Sequence, residues 1–343
     1  MSENRTEIGK LGEFGLIDKI SENFSITNQE TALGIGDDAA LIDSGDHYTV
    51  LSTDMLLEGV HFDLSFMPLQ HLGYKAIAVN VSDIAAMNAT PKQVTVSLGL
   101  SNRFSVEAVE ELYRGIKAAC DSYKVDLIGG DTTSSRSGLV ISVTVTGIAN
   151  KDAVVKRSGA QIDDVICVTG DLGGAYMGLQ ILEREKQVFL ANPDMKPQLD
   201  KYDYIVQRQL KPEARMDIIH ELKDFGVVPT SMIDVSDGLA SELFHISKQS
   251  EVGMKIYEDK LPIDKQTYDT GYELNIDATT ASLNGGEDYE LLFTVSKADM
   301  EKLKKHADIH FIGVVQAKEA GNIMITKGER EVILQAQGWN HFE

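Results

Sequence analysis

The feature that most constrains this chain is a set of aspartates, most of them following short apolar stretches and with few basic residues nearby: Asp38, Asp54, Asp83, Asp131, Asp234 and Asp237. Two carboxylates about 5 Å apart repel by roughly 3 kcal/mol at an effective dielectric of 20, so a fold that gathers such groups must also supply cations. The pattern is densest between Leu33 and Asp54. There Gly34-Ile35-Gly36 delivers Asp37 and Asp38 on a tight loop, and an apolar strand from Tyr48 to Leu51 delivers Ser52, Thr53 and Asp54 at its end. Hard divalent cations such as Mg²⁺ take oxygen ligands of this kind and leave positions for substrate phosphates. The same residue types also build ordinary solvated turns, and the corner alone is compatible with either reading.

A length of 343 residues exceeds what one hydrophobic core usually organises, so two α/β-sized domains are expected, and 43% apolar residues suffice to fill both. Thirty-two basic against 53 acidic residues, a net charge of −21, argue against nucleic acid or an anionic membrane as partner. Cys120 and Cys167 are isolated and lack metal-ligand spacing, which suits a reducing cytosol. The opening Met-Ser-Glu-Asn-Arg lacks the apolar segment of a signal peptide, and no run approaches the ~18 apolar residues of a membrane span. The expectation is a soluble cytoplasmic protein.

Leu16, Ile17, Ile20 and Phe24 predict a short amphipathic helix within 9–24. Over 69–87, Leu72, Ala76, Val79, Asp83 and Met87 recur at helical spacing, which sets Asp83 in the apolar stripe. A carboxylate buried there needs a partner or a metal, unless the edge of the stripe reaches solvent. A strand over 93–100, a helix over 106–123, a short strand over 125–128 running into Gly129-Gly130-Asp131, and a strand over 139–148 complete the first half. The polar segment 149–156 marks the boundary, giving domains 1–150 and 151–343. The second half opens with a strand over 165–169, a glycine loop and a helix, followed by an irregular polar stretch over 186–204 and helices near 204–209 and 213–225. An apolar stretch then runs into Asp234, Ser236 and Asp237 before a helix over 240–247. Gly285-Gly286-Glu287 leads into a strand over 290–295, and a helix over 297–305 and short strands over 310–315, 323–326 and 331–335 follow. Val-Ser-Asp occurs at 81 and again at 235, and Gly-Gly-acid at 129 and 285, an echo compatible with a duplicated α/β unit.

Several familiar devices are excluded. The chain has no Gly-x-x-x-x-Gly-Lys-[Ser/Thr] phosphate loop. Gly34-Ile-Gly-Asp-Asp-Ala39 superficially fits a dinucleotide fingerprint, but it puts two carboxylates where a pyrophosphate would lie. Asp234-Val-Ser-Asp-Gly lacks the closing glutamate of a calcium loop, having His245 at the twelfth position. Several divalent ions holding a polyphosphate remain the best resolution of the clustered acids.

Gly-Ile-Gly-Asp-Asp-Ala-Ala-Leu from 34, Ser-Thr-Asp-Met-Leu-Leu-Glu-Gly-Val-His-Phe from 52, Tyr-Lys-Ala-Ile-Ala-Val-Asn-Val-Ser-Asp-Ile-Ala-Ala-Met from 74, Leu-Ile-Gly-Gly-Asp-Thr-Thr from 127, Arg-Ser-Gly-Ala from 157, Asp-Val-Ser-Asp-Gly-Leu from 234 and Gly-Gly-Glu-Asp-Tyr-Glu-Leu from 285 stand in one order along nearly the whole chain. Jointly they resemble the thiamine-monophosphate kinase family, which is related to aminoimidazole ribonucleotide synthetase. The resemblance implies an α/β (α+β) fold of two domains, each a mixed sheet with helices packed on it. The N-terminal domain would bind ATP and Mg²⁺ and form a homodimer, and the C-terminal domain would complete the metal and substrate site. The implied reaction moves the γ-phosphoryl of ATP to thiamine monophosphate. By the same resemblance Asp38, Ser52, Thr53, Asp54, Asp83, Asp131, Asp234 and Asp237 hold several Mg²⁺ ions. Gly130, Asp131, Arg157 and Ser236 meet ATP, with Tyr113 on the adenosine side. His61, Glu287 and Trp339 contact thiamine monophosphate, and Asp54, Asp131, Asp237 and Arg157 carry the chemistry. Two alternatives stand beside this: an ATP-dependent cyclisation of the aminoimidazole ribonucleotide synthetase kind, and a non-catalytic Mg-nucleotide or thiamine-phosphate sensor. The full carboxylate set argues against the sensor, which would not need so many metals.

Overall fold

The structure, a computed structural model, describes residues 8–335. A short helix α1 (Gly12–Ser21) precedes six strands: β1 (Thr31–Leu33), β2 (Ala40–Asp43), β3 (His47–Leu57), β4 (Thr90–Leu100), β5 (Asp126–Ser134) and β6 (Val140–Asn150). They form one sheet in the order β1-β2-β3-β6-β4-β5, antiparallel except for the parallel pair β4–β5. Helices α2 (Leu69–Ala86) and α3 (Val106–Tyr123) belong to this half and pack on each other. In the paired strands Val50, Val96, Ile141, Val143 and Val145 turn inward onto α2, while Thr53, Met55 and Ser97 point out of the opposite face and are exposed. This is the alternation that a sheet covered on one side requires.

The second sheet has seven strands: β7 (Val165–Thr169), β8 (Ser231–Asp234), β9 (Gly253–Tyr257), β10 (Leu291–Val295), β11 (Ile309–Gln316), β12 (Asn322–Ile325) and β13 (Glu331–Ile333). Their order is β13-β12-β9-β11-β7-β10-β8. Helices α4 (Gly174–Ala191), α5 (Asp203–Leu210), α6 (Met216–Asp224), α7 (Leu239–Ser250), α8 (Lys265–Leu274), α9 (Ala278–Asn284) and α10 (Lys297–Leu303) surround it. Both faces are covered, so β7 and β10 are apolar almost without interruption. Cys167 and Phe293 face one apolar cluster, and Ile166, Val168 and Leu292 face another.

The first of these clusters is shared between the halves. It runs from Val50 and Ile84 to Leu222 and Phe293, and α2 touches β8, α5 and α6 as well as its own sheet. This is why α2 is buried on nearly all sides rather than along a single stripe, with fourteen buried residues in eighteen. A helix in that position is a rigid bridge, and any side chain on it can be aimed at either half.

Long-range pairing changed several expected boundaries. β3 pairs with β6 over its whole length, so Ser52, Thr53 and Asp54 sit in mid-strand rather than at an end. β5 likewise continues through Gly129 and Gly130, because β4 pairs with both. The stretch expected to be irregular from 186 begins as the last turns of α4, where Glu, Lys, Gln and Leu are good helix formers despite their polarity. β9, α8 and α9 were not foreseen, although Asp264 and Asp277 each accept a backbone N–H as N-caps of the two helices. The Val-Ser-Asp echo has no structural counterpart. Its first copy lies inside α2 and its second in the loop after β8, while Gly-Gly-acid lies in β5 at 129 and in a loop at 285.

Candidate active site

A cleft of 1410 Å³ opens where the two halves meet. Three elements deliver acids to it. The loop before β2 brings Asp38, α2 brings Asp83, and the end of β8 brings Asp234, with one oxygen of each within 4.8 Å of the others. Local hydrogen bonds aim them. Ser52 Oγ donates to Asp83 at 2.5 Å, Ser82 Oγ donates to Asp234 at 2.6 Å, and Arg157 donates from Nε and Nη2 to Asp38 at 3.2 and 2.7 Å. Asp54 and Asp237 line the same cleft. Their backbones are fixed by side chains the sequence reading missed: Asn80 accepts from the Asp54 N–H at 3.1 Å, and Glu242 from the Asp237 N–H at 2.9 Å.

The electrostatics are unbalanced. Burial, and then the charges of Asp54, Asp234 and Asp38, push Asp83 well above the ordinary carboxylate range. Burial and then Asp38 push Asp234 up to about 7, and burial and then Asp38 push Asp37 up to about 6. Asp38 is itself raised by burial, against the pull of Arg157. Burial followed by Asp237 does the same to Glu242. Among the described residues the one cation hydrogen-bonded to any of the three converging acids is Arg157, on Asp38. Asp38 Oδ2 is buried with no hydrogen-bond partner. An all-oxygen donor set, an orphaned carboxylate oxygen and too little positive charge together fit a hard divalent cation.

Other expected residues fall around this centre. Thr53 lines the cleft, but its hydroxyl donates to Val143 C=O at 2.9 Å on the far side of the strand, leaving only its backbone for a role there. His61 Nδ1 accepts the Leu57 N–H at 3.0 Å, which keeps the ring proton of the neutral form on Nε2. Ser236 gives its carbonyl to the Glu287 N–H at 2.7 Å; a Cβ on Gly286 would stand 2.5 Å from that oxygen, so glycine is needed for the approach. Glu287 borders the cleft with a φ of +68°.

Three residues are not brought here. Asp131 pairs in register with Ser97, Ser97 with Ser142, and Ser142 with Met55, so three strand spacings, about 14 Å, separate it from the strand that carries Asp54. Gly130 beside it is explained by packing, since a Cβ would stand 1.8 Å from Val96 O. Tyr113 lies on α3 in a separate small pocket with Leu100 and Phe104. Trp339 lies outside the described residues. Missed by the sequence reading were Lys75, Asn80, Ser82, Gln209 and Glu242. Lys75 carried a signal, since 75, 79 and 83 share one face of α2 and a lysine there is as anomalous as the aspartate.

Residues 36–149 match the family model described as AIR synthase related protein, N-terminal domain, and residues 161–326 match its C-terminal counterpart. The chain is 36% identical over 340 residues to the thiamine-monophosphate kinase of Bacillus subtilis (strain 168), covering 97% of this chain and all of that one. It is 33% identical to that of Aquifex aeolicus (strain VF5), over 97% and 99% of the two chains. A solved structure described as AaThiL complexed with AMPPCP and TMP superimposes with a TM-score of 0.82 at 32% identity, covering 98% of this chain and 99% of the other.

Proposed function

The chain belongs to the thiamine-monophosphate kinase family of AIR synthase related proteins, and from that premise we propose that it phosphorylates thiamine monophosphate with ATP by direct in-line transfer, giving thiamine diphosphate. The observation that carries the reading is the convergence of Asp38, Asp83 and Asp234 in one cleft with a single arginine against them. Asp38, Asp83 and Asp234, with Asp54 and Asp237 beside them, would hold Mg²⁺. Bound there, the ions supply charge neutralisation and orientation to the polyphosphate, which is where phosphoryl-transfer catalysis chiefly lies.

The chain's own residues do the rest. Arg157 stands with its guanidinium on Asp38 and offers its remaining N–H groups to the nucleotide phosphates. Ser52 and Ser82 hold the Asp83 and Asp234 carboxylates in position, and Asn80 holds the Asp54 backbone. His61, through its Nε2–H, and Glu287, through its carboxylate, orient thiamine monophosphate. The acceptor is a phosphate oxygen already ionised near neutral pH, so no general base is called for.

The reading extends to the assembly. β5 is an edge strand whose nine residues are all exposed, Leu127 and Ile128 among them. An apolar edge of that length invites pairing, and a homodimer formed through the N-terminal sheets would cover it. Gly130, Asp131 and Tyr113 keep a part in nucleotide binding only if a second copy brings that face to a cleft. Residues 1–150 would then serve nucleotide, metal and dimerisation, and 151–343 would complete the substrate site. No described helix is long and apolar enough to cross a membrane. Buried, unbridged Cys120 and Cys167 and the use of ATP suit the cytoplasm.

Incubation with ATP, Mg²⁺ and thiamine monophosphate should yield ADP and thiamine diphosphate in equal amounts. ADP with inorganic phosphate alone, or a cyclised product, would overturn the reading. With ATP chirally labelled at the γ-phosphorus, inversion is expected. Retention would replace direct transfer by a phosphoenzyme.

A further inference from the structure

Lys75 is fully buried, yet it lies on a helix otherwise packed with Leu72, Ala76, Ile77 and Val79. A buried ammonium needs a counter-charge, and the one it has is in the other half of the molecule: Nζ stands 2.8 Å from Glu287 Oε1, an ion pair that lacks the angles of a hydrogen bond. The second oxygen, Oε2, accepts from Gln209 Nε2 at 2.7 Å, and Gln209 is itself almost fully buried, on α5. Glu287 is thus gripped from α2 and from α5 at once. Its backbone holds a left-handed φ of +68°, which a glutamate adopts only where its surroundings over-determine it. Those surroundings include the Glu287 N–H to Ser236 and the Tyr289 N–H to Val235, at 2.7 and 2.8 Å.

We propose that Lys75, with Gln209, is a positioning residue that sets the Glu287 carboxylate for the thiamine end of the substrate. The inference rests on the reading of Glu287 as a substrate contact. Gln209 fixes the carboxylate's direction through its hydrogen bond, and the Lys75 charge holds the other oxygen and offsets that of Glu287, so an acceptor can face the cleft without adding to the repulsion among Asp38, Asp83 and Asp234. Lys75 shares its helix face with Asp83, so α2 couples the pose of the substrate to the acids that receive the phosphates. Selection of an amino-bearing cationic heterocycle follows, because a rigid carboxylate with both oxygens oriented rejects a ligand that lacks the donor.

The test is a double-mutant cycle with Lys75→Met and Glu287→Gln, reading KM for thiamine monophosphate, KM for ATP, kcat and melting temperature. Each single change should raise KM for thiamine monophosphate about 5- to 20-fold, with KM for ATP within about twofold, and the double variant should be no worse than the poorer single one. If Lys75→Met does not fold, Gln209→Met carries the same cycle from the other oxygen. An unchanged KM in Glu287→Gln would remove the premise. A raised KM in Glu287→Gln with an unchanged one in Lys75→Met, or multiplying effects in the double variant, would leave the premise standing and overturn the role of Lys75.

Discussion

The cleft and the interior of the C-terminal half each bury several carboxylates, and they balance the charge in opposite ways. In the interior Glu290 is matched by protein cations: Arg208 at 2.7 Å and Arg215 at 2.5 Å, with the Thr169 hydroxyl donating at 2.6 Å. Burial alone would raise its pKa, but the two arginines outweigh it and hold the carboxyl below its ordinary value. Asp288, 3.7 Å from Arg208, is less well matched, and burial pushes it up to about 7. In the cleft, among Asp38, Asp83 and Asp234, only Asp38 has a hydrogen-bonded cation, Arg157, and all three are raised. The interior is complete without an outside ion, because Glu290 has its arginines and Asp288 accepts the Gly173 and Ala175 N–H groups at 2.6 and 3.2 Å. The cleft is complete only with charge from outside, and that shortfall is what makes it a binding site.

Asp237→Asn gives the largest separation between the regions. It should cut kcat more than about 10³-fold while leaving the melting temperature of the metal-free protein unchanged or higher. Near-normal turnover at saturating Mg²⁺ would remove Asp237 from the metal set. Arg215→Met should behave in the opposite sense, costing roughly 1.5–3 kcal/mol of stability by removing one of the two arginines on the buried Glu290, with the KM values of the remaining folded enzyme little changed. Unfolding in denaturant measures it, and a loss under 1 kcal/mol would mean that Glu290 is not dependent on Arg215.

Mg²⁺ tests the shortfall directly. At one hundred times its Kd it should stabilise the wild-type protein by about 2.7 kcal/mol, reversed by a chelator. In the triple replacement Asp38→Asn, Asp83→Asn and Asp234→Asn the shift should vanish, and its survival would place the ion elsewhere.

The smallest effect is a dependence on pH whose sign differs between the cleft acids and Glu290. Asp37 and Asp234 titrate in the metal-free fold near 6 and 7, above the 3.8 of the unfolded chain, so between those values the folded state holds the extra protons. Their contribution is fully present below about pH 4 and is lost as pH rises through 6 to 7. Glu290, held below its ordinary value, contributes above that value and loses its contribution as pH falls. Metal-free protein should therefore become less stable from pH 5 to 7.5, and saturating Mg²⁺ should remove the part of that slope supplied by the cleft while leaving the part supplied by Asp288. A metal-free stability that rose over this range would contradict the picture of an uncompensated cleft.

The sequence by itself determined what can be decided within one element. The helix over 106–123 and the strand over 165–169 were legible to the residue, the first because a 3.6-residue spacing marks its buried face and the second because a short run of Val and Ile marks a strand covered on both faces. Asp83 in an apolar stripe was visible for the same reason. So was the family resemblance, which rests on short motifs in order. Tertiary structure alone decided which acids meet. Ser82 reaches Asp234 across 152 positions and Lys75 reaches Glu287 across the junction of the halves, while Asp131, equally acidic and equally preceded by glycine, stays three strands away. Periodicity gives the direction in which a side chain leaves its own backbone. It carries no information about what another segment, folded against it by the shared core around α2, sets in its path.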